Sequence, residues 1–198
     1  DFKVDDGLEI ININKNSLTG NYSLDWLFSE HISLIKNIDN HPDKFKSYLN
    51  CESACATSDA YKLKEFVFNG NCDFTENNFK IANTGTIDKY IPKWGKKEMK
   101  YLGEKYLFPM VIKEDFLSGF TNSYAKKSNL PKIIIKGLTL LDGFIDTDAS
   151  FIAGKSTLVI TSEDVNQLYF PLALVNSKLW LFYIKEKYRG SSYNTGIN

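Results

Sequence analysis

Short strand-like and helix-like stretches alternate along this chain without the regular spacing of βαβ units. Runs that are apolar, or that alternate between apolar and polar residues, predict strands, and Gly, Pro and Asn mark the turns between them. The predicted strands cover residues 8–12, 47–53, 79–83, 98–112, 132–136, 138–145 and 157–161. Since strands and helices interleave irregularly, we predict an α+β fold with mixed or antiparallel sheets and packed helices.

Apolar residues at helical spacing mark four further stretches. We predict helices over residues 24–38 and 113–126, a short helix that Asp59 caps, and a helix that starts near Pro171. One face of the last helix carries four apolar residues, namely Leu172, Val175, Leu179 and Phe182. Their spacing predicts that this face packs against the core.

The size and hydropathy of the chain limit the classes of protein to which it belongs. Its 198 residues, 43% of them apolar, suffice for one core or two small lobes and exclude a disordered chain. No apolar run reaches the roughly 18 residues that a membrane span needs, and the acidic start lacks a secretion signal. We therefore expect a cytoplasmic protein without a membrane partner. Because the chain begins without Met and stops at a Gly-Ile-Asn end, we also expect it to be a piece of a longer polypeptide.

Cysteine and histidine are too sparse to supply a zinc site. The chain has three cysteines, Cys51, Cys55 and Cys72, and two histidines, His31 and His41. An odd number of cysteines without a second zinc-like pair predicts free thiols in a reducing compartment and no bound metal.

The net charge of zero conceals an uneven distribution of charge. Residues 1–79 contain 7 Lys against 13 Asp and Glu, whereas residues 80–136 contain 12 Lys against 5 Asp and Glu. A basic stretch on a neutral chain suits a modest number of phosphate contacts. The alternative, which charge alone leaves open, is a solvated lysine face in a protein from an AT-rich genome.

The sequence offers no catalytic centre. The segment from Ala149 to Thr157 resembles a phosphate-binding loop, but Ala149 replaces the first glycine, and a strand-like run follows where a helix is needed. A Gly-x-Ser-x-Gly elbow, a Gly-rich cofactor loop, an Asn-Pro-Pro-Tyr motif and a PD-(D/E)xK nuclease centre are all missing. We therefore assign no catalytic residue.

A polar stretch near the middle of the chain has the composition of a DNA-contacting loop. It reads Thr84-Gly85-Thr86-Ile87-Asp88-Lys89-Tyr90, followed by Lys93-Trp94-Gly95-Lys96-Lys97. Thr, Lys and glycine backbone can contact phosphate oxygens, Asp can accept from base edges, and rings can contact sugars. The alternative is a turn with a buried tryptophan and solvated lysines.

Four segments stand in order along the chain, namely ACATSDAYKL at 54–63, KIANTGTIDKYIPKWGKKEMKYLGEKYLFPMVI at 80–112, PKIIIKGLTLLDGFIDTDASFIAGKSTLVI at 131–160 and LALVNSKLWLFYIKEKYR at 172–189. Together they resemble the C-terminal specificity region of TaqI-like and type IIG restriction-modification adenine methyltransferases. The family patterns are "G-TTSDAYKL", "NTGTID-Y---WG---M-Y", "PKIII-G" with "GKST", and "LALLNSKL--FY". This chain has Ala54 where the family usually has glycine.

The resemblance implies a non-catalytic domain that chooses the DNA sequence for an adenine methyltransferase, in a TaqI-like specificity-domain architecture. Residues 1–25 would connect to the preceding catalytic region, and residues 26–198 would form the target-recognition domain, truncated at its C-terminus. The implied partners are double-stranded DNA and the catalytic methyltransferase domain of the same polypeptide. S-adenosylmethionine would be the cofactor of the parent enzyme, with magnesium as well if the parent also cleaves DNA, and this piece would hold neither.

The resemblance also assigns the candidate DNA-binding residues. The first turn supplies Thr84, Gly85, Thr86 and Asp88, with Tyr90, Trp94, Lys96 and Lys97 beside them. A second turn supplies Thr57, Ser58 and Asp59, a third supplies Lys155, Ser156 and Thr157, and the last helix adds Asn176, Ser177 and Lys178. For the helix residues, a cap or a buried bond that fixes the fold is an equal alternative. The alternative function is a protein–protein interaction or structural domain of a phage-defence assembly.

Overall fold

A computed structural model describes residues 2–5, 10–13, 31–44, 46, 48–137 and 141–187. The chain divides into two compact units, one formed by Asp1–Lys44 with Lys178–Asn198 and the other by Phe45–Ser177. The expected boundary after residue 25 concerns the organisation of the parent polypeptide and stays a prediction.

The fold is α+β, as the irregular order of elements predicted. The strands are β1 (Phe2–Asp5), β2 (Ile10–Ile13), β3 (Cys51–Ser53), β4 (Phe68–Asn69), β5 (Asn78–Ala82), β6 (Ile87–Asp88), β7 (Ile91–Pro92), β8 (Met99–Tyr101), β9 (Glu104–Tyr106), β10 (Pro109–Ile112), β11 (Lys132–Lys136), β12 (Gly143–Asp146), β13 (Phe151–Ala153) and β14 (Thr157–Thr161). The helices are α1 (Ile32–Asp39), α2 (Thr57–Leu63), α3 (Lys113–Gly119), α4 (Ser123–Ser128), α5 (Asn166–Val175) and α6 (Lys178–Lys187), with 3₁₀ turns at Lys64–Phe66 and Thr84–Thr86.

The first unit contains the β1–β2 antiparallel pair and the helices α1 and α6. A polar cluster joins the two helices. The carboxylate of Asp39 accepts hydrogen bonds from the hydroxyl of Tyr183 and from the ammonium of Lys187, the latter at 2.6 Å. Because all three groups are partly buried, this cluster fixes how the two helices pack against each other.

The second unit is built on two four-stranded sheets. The first sheet has the strand order β13-β5-β10-β4, in which β13 and β5 run parallel and the other pairs are antiparallel. The second sheet has the order β12-β11-β14-β3 and is antiparallel throughout. Two hairpins, β6–β7 and β8–β9, accompany them. The prediction of mixed and antiparallel sheets is confirmed.

The alternation of side chains along each strand explains how the layers of this unit pack. Ile134 on β11 points into a cluster shared between the two sheets, which includes Val159 and Phe151. Its neighbours Ile133 and Ile135 point to the opposite face, where the helix α5 covers them. Strand β11 is therefore buried on both faces, and its run of three isoleucines is the sequence signal of that burial.

An aromatic cluster fills the outer face of the first sheet. Phe116 and Phe120 lie with ring centroids 4.7 Å apart, and Tyr124 packs edge-on against both at 5.4 Å. All three side chains are almost fully buried, together with Phe79 from β5. The cluster attaches α3 and α4 to the sheet that carries the first and third turns.

Three of the predicted helices differ from those observed. The helix predicted over 113–126 is two helices, because Phe120 is extended and Asn122 caps α4 by accepting from the amide of Tyr124 at 3.0 Å. The helix predicted from Pro171 begins five residues earlier at Asn166 and ends at Val175. The short helix begins at Thr57, so Asp59 lies in its first turn and does not cap it.

The expected apolar stripe on the last helix is broken. Leu172 and Val175 are buried against the second sheet, whereas Leu179 belongs to α6 and is 53% exposed. The stripe spans two separate helices, and its prediction as one continuous core face was wrong.

One strand and the first predicted helix also differ between the prediction and the structure. Strand β13 lies inside the segment that resembles a phosphate-binding loop, where no strand was predicted. The helix predicted over 24–38 is observed from Ile32 to Asp39, and residues 24–30 lie outside the described residues, as do 138–140 at the start of a predicted strand.

Candidate nucleic-acid interface

The parallel pairing of β5 and β13 brings the first and third predicted turns together. Ala82 at the end of β5 lies opposite Ala153 at the end of β13, and the amide of Gly154 donates to the carbonyl of Ala82 at 2.8 Å. Each turn follows directly after its strand. The hydroxyl of Thr84 then donates to the carbonyl of Ser156 at 2.8 Å, across 72 positions of sequence.

The second predicted turn joins them through the neighbouring sheet. Strand β3 pairs with β14 so that Ser53 lies opposite Leu158, and the amide of Ala54 donates to the carbonyl of Thr157 at 3.1 Å. The ammonium of Lys155 lies 5.1 Å from the centroid of the Tyr61 ring on α2. The three turns therefore adjoin one another, although their sequence positions are widely separated.

A small open pocket lies where the first and third turns meet. It has a volume of about 190 Å³ and is lined by Asn83, Thr84, Tyr101, Leu102, Lys155 and Ser156. The hydroxyl of Tyr101 donates to the carbonyl of Ala60 at 2.8 Å, which ties the floor of the pocket to α2. Burial raises the pKa of Tyr101 well above its ordinary value, so this hydroxyl stays protonated.

The second turn presents two exposed hydroxyl groups. Thr57 and Ser58 are exposed in the first turn of α2, where neither side chain caps the helix. Asp59 is partly buried and accepts a hydrogen bond from the side-chain nitrogen of Asn122 at 3.0 Å. Thr57 and Ser58 are therefore accessible to a ligand, whereas one oxygen of Asp59 is used within the fold.

Two threonines among the candidates are structural. Thr86 is 2% exposed, and its hydroxyl donates to the carbonyl of Asn83 and accepts from the amide of the same residue, both at 3.0 Å. Thr157 is 3% exposed and donates to the carbonyl of Gly154 at 2.6 Å. Both hydroxyls hold their turns in shape, and their prediction as DNA contacts is corrected on this ground.

In the β6–β7 hairpin after the first turn, Tyr90 is exposed, whereas the carboxylate of Asp88 is hydrogen-bonded within the hairpin. Asp88 forms an ion pair with Lys93 and accepts from the amide of Lys89 at 2.9 Å, and these hydrogen bonds lower the pKa of its carboxyl. Both of its oxygens therefore have a partner within the hairpin, while the side chain is 42% exposed, so its role as an acceptor for base edges stays a prediction. Tyr90 is 53% exposed at a φ of 65°, and its amide donates to the carbonyl of Gly143 at 2.9 Å.

Trp94 supports the loop from within. Its indole N–H donates to the carbonyl of Pro109 at 2.9 Å, and its ring packs edge-on against Phe108 at 5.1 Å. The interpretation as a packed tryptophan is therefore the correct one for this residue. The following Lys96 and Lys97 are exposed, and Gly85 is exposed with open space around it.

Asn176 is a third structural residue among the candidates. It is 6% exposed, its side-chain oxygen accepts from the amide of Gly143 at 3.0 Å, and its nitrogen donates to the carbonyls of Gly143 and Leu172. With its hydrogen bonds satisfied inside the fold, it is corrected to a residue that fixes α5 against β12. Ser177 is partly buried at the end of that region, and Lys178 is exposed at the start of α6 in the other unit.

The lysine-rich stretch carries less free positive charge than its composition suggests. Five of its twelve lysines pair with carboxylates, namely Lys93, Lys105, Lys127, Lys132 and Lys136. The ammonium of Lys80 faces the rings of Phe74, Trp94 and Phe151 at 3.9 to 5.3 Å. Five lysines are exposed without a carboxylate partner among the described residues: Lys89, whose ammonium donates to the carbonyl of Asn176, and Lys96, Lys97, Lys100 and Lys126.

Sequence reasoning missed four residues of this surface. Asn83, Tyr101 and Leu102 line the pocket, and Tyr61 lies against Lys155. Tyr61 falls within the segment 54–63 and the other three within the segment 80–112, so the family resemblance was the signal available for all four. The other three come together through strand pairing, which the sequence does not specify.

Metal and thiol chemistry have little support in this surface. Within the part of the chain that the structure describes, no group of three His, Cys, Asp or Glu side chains is placed to hold a metal ion. The three cysteines are free thiols, and burial raises the pKa of Cys55 to about 11. None of the helices in the described ranges has the length and apolar character that a bilayer span requires.

Comparisons with known proteins do not assign this chain to a family. No protein-family model matches it, and no curated protein is significantly similar to it. The specificity-domain resemblance therefore rests on the four quoted segments and remains a hypothesis.

Proposed function

We propose that this chain recognises duplex DNA for an adenine-specific methyltransferase of a restriction-modification system. The observation that carries the proposal is the convergence of the three turns through the Thr84–Ser156 and Ala54–Thr157 hydrogen bonds. The turns belong to three of the four segments that resemble the specificity region of such enzymes. In this proposal the unit has the TaqI-like specificity-domain architecture.

The chemistry of the adjoining turns suits a duplex. Exposed hydroxyls of Thr57, Ser58 and Ser156 can donate to phosphate or accept from base amino groups. The exposed backbone at Gly85 permits a close approach, since no side chain stands there. Lys96 and Lys97 add positive charge that is free of carboxylates within the described ranges.

The methyl transfer itself belongs elsewhere in this proposal. S-adenosylmethionine binds to the catalytic domain of the same parent polypeptide, and magnesium is needed only if the parent also cleaves DNA. The role of this chain is to set the sequence at which that domain acts, in the cytoplasm of the host.

Methylome sequencing of a host that expresses the full-length parent gene tests this proposal. We expect N6-methyladenine within one short sequence motif, and loss of that methylation when this region is deleted from the gene. A host genome with no modified adenine, or a methylation pattern that survives the deletion, would contradict the proposal.

A protein-interaction role is the second candidate, and one observation favours it. The helix α5 exposes two adjacent aromatic side chains, Tyr169 at 52% and Phe170 at 74%. Exposed aromatic pairs of this kind occur in protein interfaces. Binding of a partner protein that Phe170→Ser abolishes, together with equal affinity for all duplexes, would favour this candidate over DNA recognition.

A further inference from the structure

We propose that the pocket between the first and third turns is a binding site for a single phosphate group. The pocket is the one of about 190 Å³ lined by Asn83, Thr84, Tyr101, Leu102, Lys155 and Ser156. If the phosphate belongs to the DNA backbone, the inference rests on the proposed function and places one of its contacts. A free phosphate compound is the other source of the same chemistry, and the experiment separates the two.

Backbone strain is concentrated at this pocket. Four described residues other than glycine have a positive φ, and two of them, Leu102 at 44° and Ser156 at 62°, line the pocket. Such conformations are uncommon for residues other than glycine and occur often where a protein holds a ligand. Leu102 lies in the two-residue turn of the β8–β9 hairpin and Ser156 in the connection between β13 and β14, so two separate turns set the shape of the pocket.

The charge of the pocket selects an anion. Lys155 supplies its cation, and no acidic residue is among the six that line it. The ammonium of Lys155 has no carboxylate partner within the described ranges, and the Tyr61 ring at 5.1 Å orients it without neutralising its charge. A phosphate oxygen would supply the opposite charge that this lysine lacks.

The hydrogen-bonding groups around Lys155 also suit phosphate. The hydroxyl of Ser156 is exposed and makes no hydrogen bond with another described residue, so it is available as a donor. The acceptor that would repel an anion, Oδ1 of Asn83, is shielded from solvent and lies beside Gly154. Because the hydroxyls of Thr84 and Tyr101 already donate within the fold, Lys155 and Ser156 are the side chains of the pocket that can donate to a phosphate.

The size of the pocket agrees with a small group. A water molecule takes about 30 Å³ of liquid volume, so about 190 Å³ accommodates a phosphate group with accompanying waters. Because the pocket is open to solvent, a phosphate that remains part of a polymer can enter it. Neither a metal nor a covalent step is involved.

The first arm of the test measures the salt dependence of duplex binding by the full 198-residue chain. Lys155→Met is compared with wild type and with Lys126→Met, which removes the same charge from an exposed lysine outside the pocket. Loss of one phosphate contact lowers the slope of log K against log salt by about 0.9. We expect that change in Lys155→Met and none in Lys126→Met, with unaltered thermal unfolding in both.

The second arm titrates inorganic phosphate against the ¹⁵N-labelled chain at constant ionic strength. We expect saturable shifts of the Thr84 and Ser156 amide signals in wild type and Lys126→Met, and no saturation in Lys155→Met. Saturable phosphate binding without any duplex binding would support the phosphate site and assign it to a free phosphate compound. The same result would refute DNA recognition. Duplex binding with an unchanged slope in Lys155→Met and no saturable phosphate shift would overturn the phosphate site and leave DNA recognition standing.

Discussion

The buried ion pair between Lys132 and Asp146 permits the sharpest test of how this fold positions the third turn. Their charged atoms lie 2.7 Å apart, and the side chains are 1% and 2% exposed. The ammonium also donates to the carbonyls of Ser128 and Leu130. The carboxylate also accepts from the amides of Ser150 and Phe151, both at 2.9 Å, where β13 begins. Asp146 thereby connects β11, β12 and the strand that leads into the turn.

Asp146→Asn should destabilise the protein strongly. The amide keeps one acceptor for Ser150 but places an NH₂ group against the Lys132 ammonium and the Phe151 amide. Removing one partner of a buried pair leaves an uncompensated charge, which costs about 3–5 kcal/mol. Replacing both residues by apolar ones would not rescue the loss, because the backbone groups that they satisfy would stay unpaired at about 1–3 kcal/mol each.

The loss of unfolding free energy caused by Asp146→Asn should also depend on pH. Burial lowers the pKa of Lys132, and the carboxylate of Asp146 opposes that effect. Without the carboxylate, the folded state binds the lysine proton less tightly than the unfolded state does. Stability then rises with pH wherever the unfolded state holds more protons, so the deficit of the variant shrinks toward alkaline pH.

Urea unfolding followed by circular dichroism measures these differences. The exposed pair of Lys105 and Glu98, whose side chains are 60% and 57% exposed, supplies the control. Lys105→Met should change the free energy of unfolding by less than about 1 kcal/mol, since surface pairs contribute little. A loss below about 1 kcal/mol for Asp146→Asn, or the same loss for both variants, would refute the reasoning.

Three further predictions follow from the surface and the thiols. Lys96→Ala combined with Lys97→Ala should flatten the salt dependence of duplex binding without changing the preferred sequence, and an unchanged slope would exclude these lysines as phosphate contacts. Asn176→Ala should lower the free energy of unfolding in urea by about 1–3 kcal/mol, because the amide of Gly143 loses its acceptor. A changed preferred DNA sequence at unchanged stability would contradict the structural role of Asn176. With a pKa of about 11, only about 1% of Cys55 is thiolate at pH 9. Its alkylation by iodoacetamide, followed by mass spectrometry, should therefore be at least about tenfold slower than that of a thiol in an unstructured peptide. Equal alkylation rates would contradict the burial of Cys55.

Local patterns predicted the strands better than the helices. The run of Ile133 to Ile135 and the alternation in β5 report burial directly, so these strands fall close to their predicted positions. The residues at which helices begin and end depend on tertiary hydrogen bonds and packing, which the spacing of apolar residues does not predict. The break at Phe120 needs its burial in the aromatic cluster, and the end of α5 coincides with the bonds of Asn176 to Gly143.

The sequence predicted some residues of the candidate site but could not show which of them are accessible, because accessibility depends on long-range strand pairing. Residue type marked Gly85, and the family resemblance marked Ser58 and Lys155. Gly85 and Ser58 are exposed and Lys155 is half-buried, at or near the adjoining turns. Residue type could not separate them from Thr86 and Thr157, whose hydroxyls are buried by the strand ends that bring the turns together. Only the parallel register of β5 and β13, a long-range pairing, distinguishes the two groups.

Selection from a randomised duplex library tests the central claim most directly, namely that the adjoining turns meet DNA and choose its sequence. The full chain is compared with Ser58→Glu, which adds negative charge at the second turn, and with Gln167→Glu, which adds it on the exposed face of α5. We predict that wild type and Gln167→Glu enrich the same short motif and that Ser58→Glu enriches it weakly. Enrichment of no motif by wild type, or of the same motif to the same extent by Ser58→Glu, would contradict the claim.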